Sequence, residues 1–122
     1  AIEAAAGGVT VTNTIFTNHA VGINNTGASV QQDYNLFFAN GAATQGSVSG
    51  GTNNPTGDPL FVDPAGGDYH LSLGSAASDS GVDASVTIDF EGDPRPLDAG
   101  FDIGFDEARL MVYLAYIPVI AR

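Results

Sequence analysis

The chain has 122 residues, 43% of them apolar, with 16 glycines and no cysteine. That suffices for one domain with a modest core, is too apolar for a disordered tail, and rules out a disulfide framework or a thiolate metal site. Fourteen acidic residues face three arginines and no lysine, a net charge of −11, so neither nucleic acid nor an anionic lipid surface finds the basic patch it needs.

The leading AIEAAAGG has neither the basic nor the long apolar region of a secretion signal. It reads as a chain whose signal was removed, or as a piece of something longer. An acidic, lysine-free surface rich in Asn, Gly and Thr points to an extracellular or cell-surface setting.

A repeated frame then dominates. NTIFTN (Asn13 to Asn18), NLFFAN (Asn35 to Asn40) and DPLFVD (Asp58 to Asp63) begin 22 and 23 residues apart. Aligned on their first residues, they place Phe16, Phe38 and Phe61 in one column and Ile15, Phe37 and Leu60 in another. Asn13, Asn35 and Asp58 lead the segments, and Asn18, Asn40 and Asp63 close them. A period in this range signals a repeat architecture in which no unit buries its own face. The units are strand-like, with β-branched and aromatic residues between Asn, Gly and Thr. The expectation is an all-β fold: a right-handed parallel β-helix, or solenoid, of about 22-residue rungs stacked about 4.8 Å apart. Asn and Asp would form an asparagine ladder at the turns, and the phenylalanines a stack between them. Ordinary β-sandwich strands are the alternative, although strands spaced by about 8–12 residues would suit that fold better.

Further strands are expected at YHLSL (69–73) and SVTIDF (85–90), joined by the turn-rich GSAASDSGVD. No helix is expected. Prolines 55, 59, 64, 94 and 96 keep the second-half strands short or at edges.

The densest polar stretch is DFEGDPRPLDAGFDIGFDE, in which Arg95 sits among Asp89, Glu91, Asp93, Asp98 and Asp102. Arg95 reads as a structural fork on a carboxylate, with substrate gripping as the alternative. Asp89, Glu91 and Asp93 invite calcium, yet Pro94 and Gly100 stand where an EF-hand loop needs glycine and glutamate. No cofactor, metal ligand or catalytic residue is assigned, and calcium stays open. His19 and His70 read as structural or solvated, since no metal spacing links them. A lyase site for acidic polysaccharide is disfavoured by the missing lysine and by the net charge of −11.

GDPLFVDPAGGDYHLSLGSAASDSGVD followed by DFEGDPRPLDAGFDIGFDE resembles the C-terminal region of secreted bacterial right-handed parallel β-helix proteins, pectate-lyase-like in fold. The matching residues are Asp58 to Asp63, Asp68 to Leu71, Gly74 and Ser75, Asp79 to Gly81, Asp89 to Pro96 and Asp102 to Glu107. The chain departs from the family's Ser-Pro-Ala-Ile-Asp at Ser75 to Asp79, which lacks the proline. The resemblance implies a fold, a secreted or cell-surface location and a terminal cap around Arg95. It implies no activity.

EARLMVYLAYIPVIAR ends the chain, and its apolar run from Leu110 to Ala121 is too short to span a bilayer. It reads as a strand covering its own solenoid, an anchoring tail, or a strand added to a neighbouring molecule. Residues 1–107 are thus expected to form rungs and a C-terminal cap, and 108–122 an apolar tail. AIEAAAGG is a poor cap for a solenoid end, so more of a larger chain or another copy should cover it; copies stacked head to tail form a filament. The functional expectation is a non-catalytic structural domain. The alternatives are the end of a polysaccharide-degrading β-helix enzyme, or a calcium-stabilised carbohydrate-binding module.

Overall fold

The computed structural model describes residues 1–108, and the expected tail lies outside them from residue 109 on. The described residues form short strands and turns, without an α-helix. None of their helices is long and apolar enough to cross a membrane.

The chain visits three parallel sheets in turn. Strands β1 (Ile2–Ala4), β2 (Gly8–Thr12) and β3 (Ile15–Thr17) make a first circuit. Strands β4 (Val21–Asn25), β5 (Ser29–Asp33) and β6 (Leu36–Phe38) repeat it, and β7 (Ala42–Gln45) and β8 (Val48–Gly50) begin a third. The sheets are β1-β4-β7, β2-β5-β8 and β3-β6. Ile2 lies beside Ile23, Val9 beside Val30 and Phe16 beside Phe37, so the return is 21 residues in every sheet. The third circuit is shorter. Ile23 still pairs with Thr44, but Val30 pairs with Val48, because the turn at Gly46 drops three residues. Gly46 has φ +82°, and an added Cβ would overlap the Asn25 carbonyl oxygen, so only glycine makes this turn.

The 21-residue return corrects the expected columns. Phe16 faces Phe37, while Phe38 faces Thr17. In a strand a one-residue slip moves a side chain to the opposite face. Here the inward face decides the register, because Phe16 is buried and Phe37 packs with it in the core. Asp58 to Asp63 does not join the stack at all. Strand β9 (Phe61–Asp63) pairs antiparallel with β10 (Asp68–Leu71) through a 3-10 turn at Pro64–Gly66. Proline at 59 and 64 and glycine at 66 and 67 favour this reversal over a further parallel circuit.

Two clusters hold the fold together. Ala4 and Ile23, Val11 and Val30, and Phe16 come one group from each parallel sheet and pack into a common core. Leu36, Leu71, Ala77 and Ile103 form the second, with Ile15 and Phe61 against it. Leu36 and Phe37 are adjacent in β6 and belong to different clusters, as strand alternation requires. Sheet β3-β6 is therefore covered on both faces, and the second half of the chain packs on the face away from the first core.

Candidate functional site

Among the residues singled out from sequence, the asparagines divide into two kinds. Asn13 and Asn18 adopt left-handed backbone conformations, with φ 51° and 61°, which Asn tolerates better than most residues. Their neighbours one circuit on are Tyr34 (φ 55°) and Ala39 (φ 56°), which make the same turns. Asn35 and Asn40 stand one residue later and act through their side chains. The Asn35 Oδ1 accepts from Thr14 N at 3.0 Å, and its Nδ2 donates to Val11 O at 2.8 Å. The Asn40 Oδ1 accepts from His19 N at 2.9 Å, and its Nδ2 donates to Phe16 O at 2.8 Å. Each amide bridges the backbone of the preceding circuit. Among the described residues, Asn13, Asn35 and Asp58, and likewise Asn18, Asn40 and Asp63, do not form the expected ladder; the amide-on-amide bond between circuits runs from Asn54 Nδ2 to Gln32 Oε1. Asn13 instead ties the circuits to the second half, its Nδ2 donating to Val82 O and its Oδ1 accepting from Val82 N.

The carboxylates of the third segment serve local turns. The Asp58 Oδ1 accepts from Leu60 N at 2.8 Å, and the Asp63 Oδ1 accepts from Gly66 N at 3.1 Å. Phe61 meets Tyr69 edge-on at 5.2 Å. A groove of about 650 Å³ beside it is lined by Phe38, Phe61, Tyr69, Asn18 and Asp58, among others.

The larger polar centre joins three chain segments. Strand β10 supplies Asp68 and His70. A tight reversal supplies Asp89 to Arg95, closed by Asp89 N to Asp93 O and Arg95 N to Thr87 O. Residues 102–107 supply Asp102, Asp106 and Glu107. The Arg95 side chain is buried in its midst. Its Nη1 donates to Gly104 O at 3.1 Å and its Nη2 to Asp102 O at 2.7 Å. Its Nε lies 3.2 Å from Glu107 Oε2 without the alignment of a hydrogen bond. The guanidinium thus pins two backbone carbonyls and only faces Glu107, so the fork expected on a carboxylate falls on main-chain oxygens instead.

The buried carboxylates are likewise bound to main chain. The Asp89 Oδ1 accepts from Glu91 N and Asp93 N, and its Oδ2 from Glu107 N. Burial alone would raise its pKa, but these three donors and Arg95 bring it below the ordinary value. Asp102 accepts from Asp79 N and Ala108 N; burial raises its pKa against these bonds, and the charges of Asp79 and Asp106 add to the rise. Asp106 accepts from Leu71 N at 3.0 Å, and burial raises it too. Glu107, 1% exposed, accepts from Asp102 N and, at 3.4 Å, from Leu97 N. Burial pushes its carboxyl up to about 7, with Asp102 adding to the rise and Arg95 opposing it.

His70 is the outward-facing member. Its Nδ1 lies 2.6 Å from Asp68 Oδ1 and its Nε2 2.6 Å from Glu91 Oε1. The two hydrogen bonds, Asp68's first and then Glu91's, raise its pKa to about 9. At neutral pH it is an imidazolium donating to both carboxylates, which makes it a poor general base. His70, Glu91 and Asp106 each present a ligand atom, all within 4.8 Å of one another, and so do Asp89, Glu91 and Asp93.

Sequence reasoning set Arg95 beside a carboxylate but found neither Glu107 nor the two carbonyls, and treated His70 as solitary. Asp68 and His70 stand two apart in a strand and so share a face, a signal that was available. The approach of Glu91 and Asp106 depends on how residues 87–107 fold back, which no local pattern encodes. Comparison with protein-family models, with curated proteins and with solved structures yields no match to this chain.

Proposed function

We propose that this chain is a non-catalytic structural domain of an extracellular or cell-surface protein, built as a right-handed parallel β-helix of the pectate-lyase-like kind. It stacks on further copies of itself or on the rest of a larger chain. One observation carries the non-catalytic reading: the buried polar centre is taken up by the chain's own backbone. Arg95 holds Gly104 O and Asp102 O, while Asp89, Asp102, Asp106 and Glu107 accept from main-chain N–H groups. Shifted pKa values mark structural networks as well as active sites, and Glu107 is too enclosed to reach a substrate.

The stacking reading rests on the sheet edges. Strands β1 and β2 are each outermost in their parallel sheets among the described residues. Such edges offer backbone groups to an added strand. Identical units stacked strand on strand along one direction leave a free edge at each end, so copies would extend as a filament. The test is mass against concentration by analytical ultracentrifugation, with electron microscopy of the largest species. Growth into linear assemblies, suppressed by a bulky fusion at residue 1, is the expected result. A single copy at every concentration removes self-assembly and leaves the larger-chain reading; turnover of a polysaccharide removes the non-catalytic one.

A second reading is favoured by the groove at Phe38, Phe61 and Tyr69, where aromatic surfaces lie beside Asn18 and Asp58. Aromatic walls with a few polar groups suit a neutral saccharide. Calorimetry with neutral oligosaccharides on the native chain and on Tyr69→Ala decides it: no heat, or heat that Tyr69→Ala leaves unchanged, excludes this groove.

A further inference from the structure

We propose that His70, Glu91 and Asp106 bind one divalent transition-metal ion of the Zn²⁺ or Mn²⁺ class, with Asp68 positioning the histidine. The three ligand atoms come from chain segments about 20 and 15 residues apart and meet within 4.8 Å of one another. Ligand atoms around such an ion sit about 3–3.5 Å apart, so a modest inward swing completes the site. Glu91 is free to make it, since its side chain is 45% exposed.

The histidine separates this group from a plain acidic patch. Its Nδ1 is held by Asp68 Oδ1 at 2.6 Å, which turns Nε2 toward Glu91. That is the arrangement in which a carboxylate fixes the tautomer and ring orientation of a ligating imidazole. Asp106 is fixed independently: it is 5% exposed and accepts from Leu71 N, the residue after His70. The reversal carrying Glu91 is tied to the segment carrying Asp106 through Phe90 N to Phe105 O and Glu107 N to Asp89 Oδ2. The Phe105 ring, 5.7 Å from the imidazole, walls one side and itself meets Phe90. His70 and Glu91 are half-exposed, so water completes the coordination.

One imidazole nitrogen and two carboxylates suit Zn²⁺ or Mn²⁺ better than Ca²⁺, which takes six to eight oxygens. The adjacent Asp89, Glu91 and Asp93 set is the weaker candidate, because the oxygens of Asp89 already accept three backbone N–H groups. On binding, the ion takes the place of the hydrogen between Nε2 and Glu91 Oε1, and that proton leaves to solvent.

The test uses the full chain, stripped with a chelator and titrated calorimetrically with Zn²⁺, Mn²⁺ and Ca²⁺. One Zn²⁺ or Mn²⁺ per chain is expected, weakened at least tenfold in His70→Gln and Glu91→Gln and about 10–100-fold in Asp68→Asn. Asp83→Asn, in a separate turn, should bind like the native chain. Circular dichroism checks that each variant folds. Should His70→Gln not fold, proton NMR of the native chain with Co²⁺ serves instead: the His70 ring resonances should shift and those of His19 should not. The proposal is overturned by the absence of saturable binding up to about 100 μM metal, by unchanged binding in His70→Gln, or by a Ca²⁺ preference that Asp93→Asn alone abolishes.

Discussion

Phe16 and Phe37 lie face to face, with ring centroids 4.8 Å apart and planes 7° from parallel. This one stack sets the phase of the parallel sheets. Phe38, its neighbour in sequence, faces the other way and lines the groove. The two residues should therefore respond differently to truncation. Phe37→Ala removes the stacked partner and opens the first core, at a cost of about 3 kcal/mol. Phe38→Ala should cost about 1 kcal/mol or less. Urea unfolding of both variants checks this, and equal losses would contradict the 21-residue register.

Asn35 is fully buried and serves four partners: Thr14 N, Val11 O, Gln32 Oε1 and, through its own N–H, Asn54 Oδ1. Asn35→Ala strands Thr14 N and Val11 O, and an unsatisfied buried group costs about 1–3 kcal/mol. A loss of about 2–4 kcal/mol is expected. Asn35→Asp keeps the acceptor but puts a carboxylate against the Val11 carbonyl, so it should restore little at neutral pH. Thermal unfolding of both variants at pH 7 tests the clamp, and a near-neutral Asn35→Ala would show that neighbouring backbone groups re-pair without it.

The same residues show how far the sequence was legible. Asn35 and Asn40 stood out because they bracket an apolar run, and both proved to be built into the fold. What misled was chemical likeness. Asn13 and Asn18 serve the backbone turn, whereas Asn35 and Asn40 serve the side-chain bridge, so aligning Asn on Asn shifted the frame by one residue. The turn itself was silent, since Tyr34 and Ala39 carry no left-handed signature. DPLFVD matched the frame in composition, yet Pro59, Pro64 and the glycines after it commit it to a hairpin. The polar centre was legible as a dense motif around Arg95. Its wiring was not, because Glu107 stands twelve positions beyond Arg95 and meets it only through tertiary packing.

Gly46 sets the short turn of the third circuit. Gly46→Ala meets both a positive φ and the Asn25 carbonyl, so a loss of about 2–3 kcal/mol is expected. Gly67, also at positive φ (84°), has open space around an added Cβ, and Gly67→Ala should cost about 1 kcal/mol from backbone strain alone. Denaturant midpoints of the pair separate steric overlap from conformational preference. A Gly46→Ala variant as stable as Gly67→Ala would mean that the third circuit can shift to admit the methyl group.

Stability should be greatest in mildly acidic solution and fall as pH rises toward 9, measured with metal removed. Glu107 has its carboxyl raised from 4.5 to about 7 by burial. The folded state therefore favours its protonated form, and that contribution is complete below 4.5 and lost as pH climbs to 7. By linkage the change is about 3 kcal/mol at most. His70 is raised from 6.5 to about 9 by Asp68 and Glu91, so its contribution is complete below 6.5 and lost as pH climbs to 9. With its side chain 41% exposed, solvent screening reduces that to about 1 kcal/mol. On the acid side, Asp89 and Asp68 are lowered, so what they contribute is present above 3.8 and lost as pH falls through their folded values. Asp102 and Asp106, also raised by burial, lose their contribution as pH climbs above 3.8, so the opposing slopes enclose a maximum at about pH 4–5. Glu107→Gln should lessen the decline between pH 4.5 and 7, leaving the share of Asp102 and Asp106 and the upper part, while His70→Gln should flatten the decline between 6.5 and 9 and leave the lower part. Chemical denaturation at closely spaced pH values resolves the two windows, and a stability curve that rises from pH 5 to 8 would refute the assignment of Glu107 as a carboxyl kept neutral by burial.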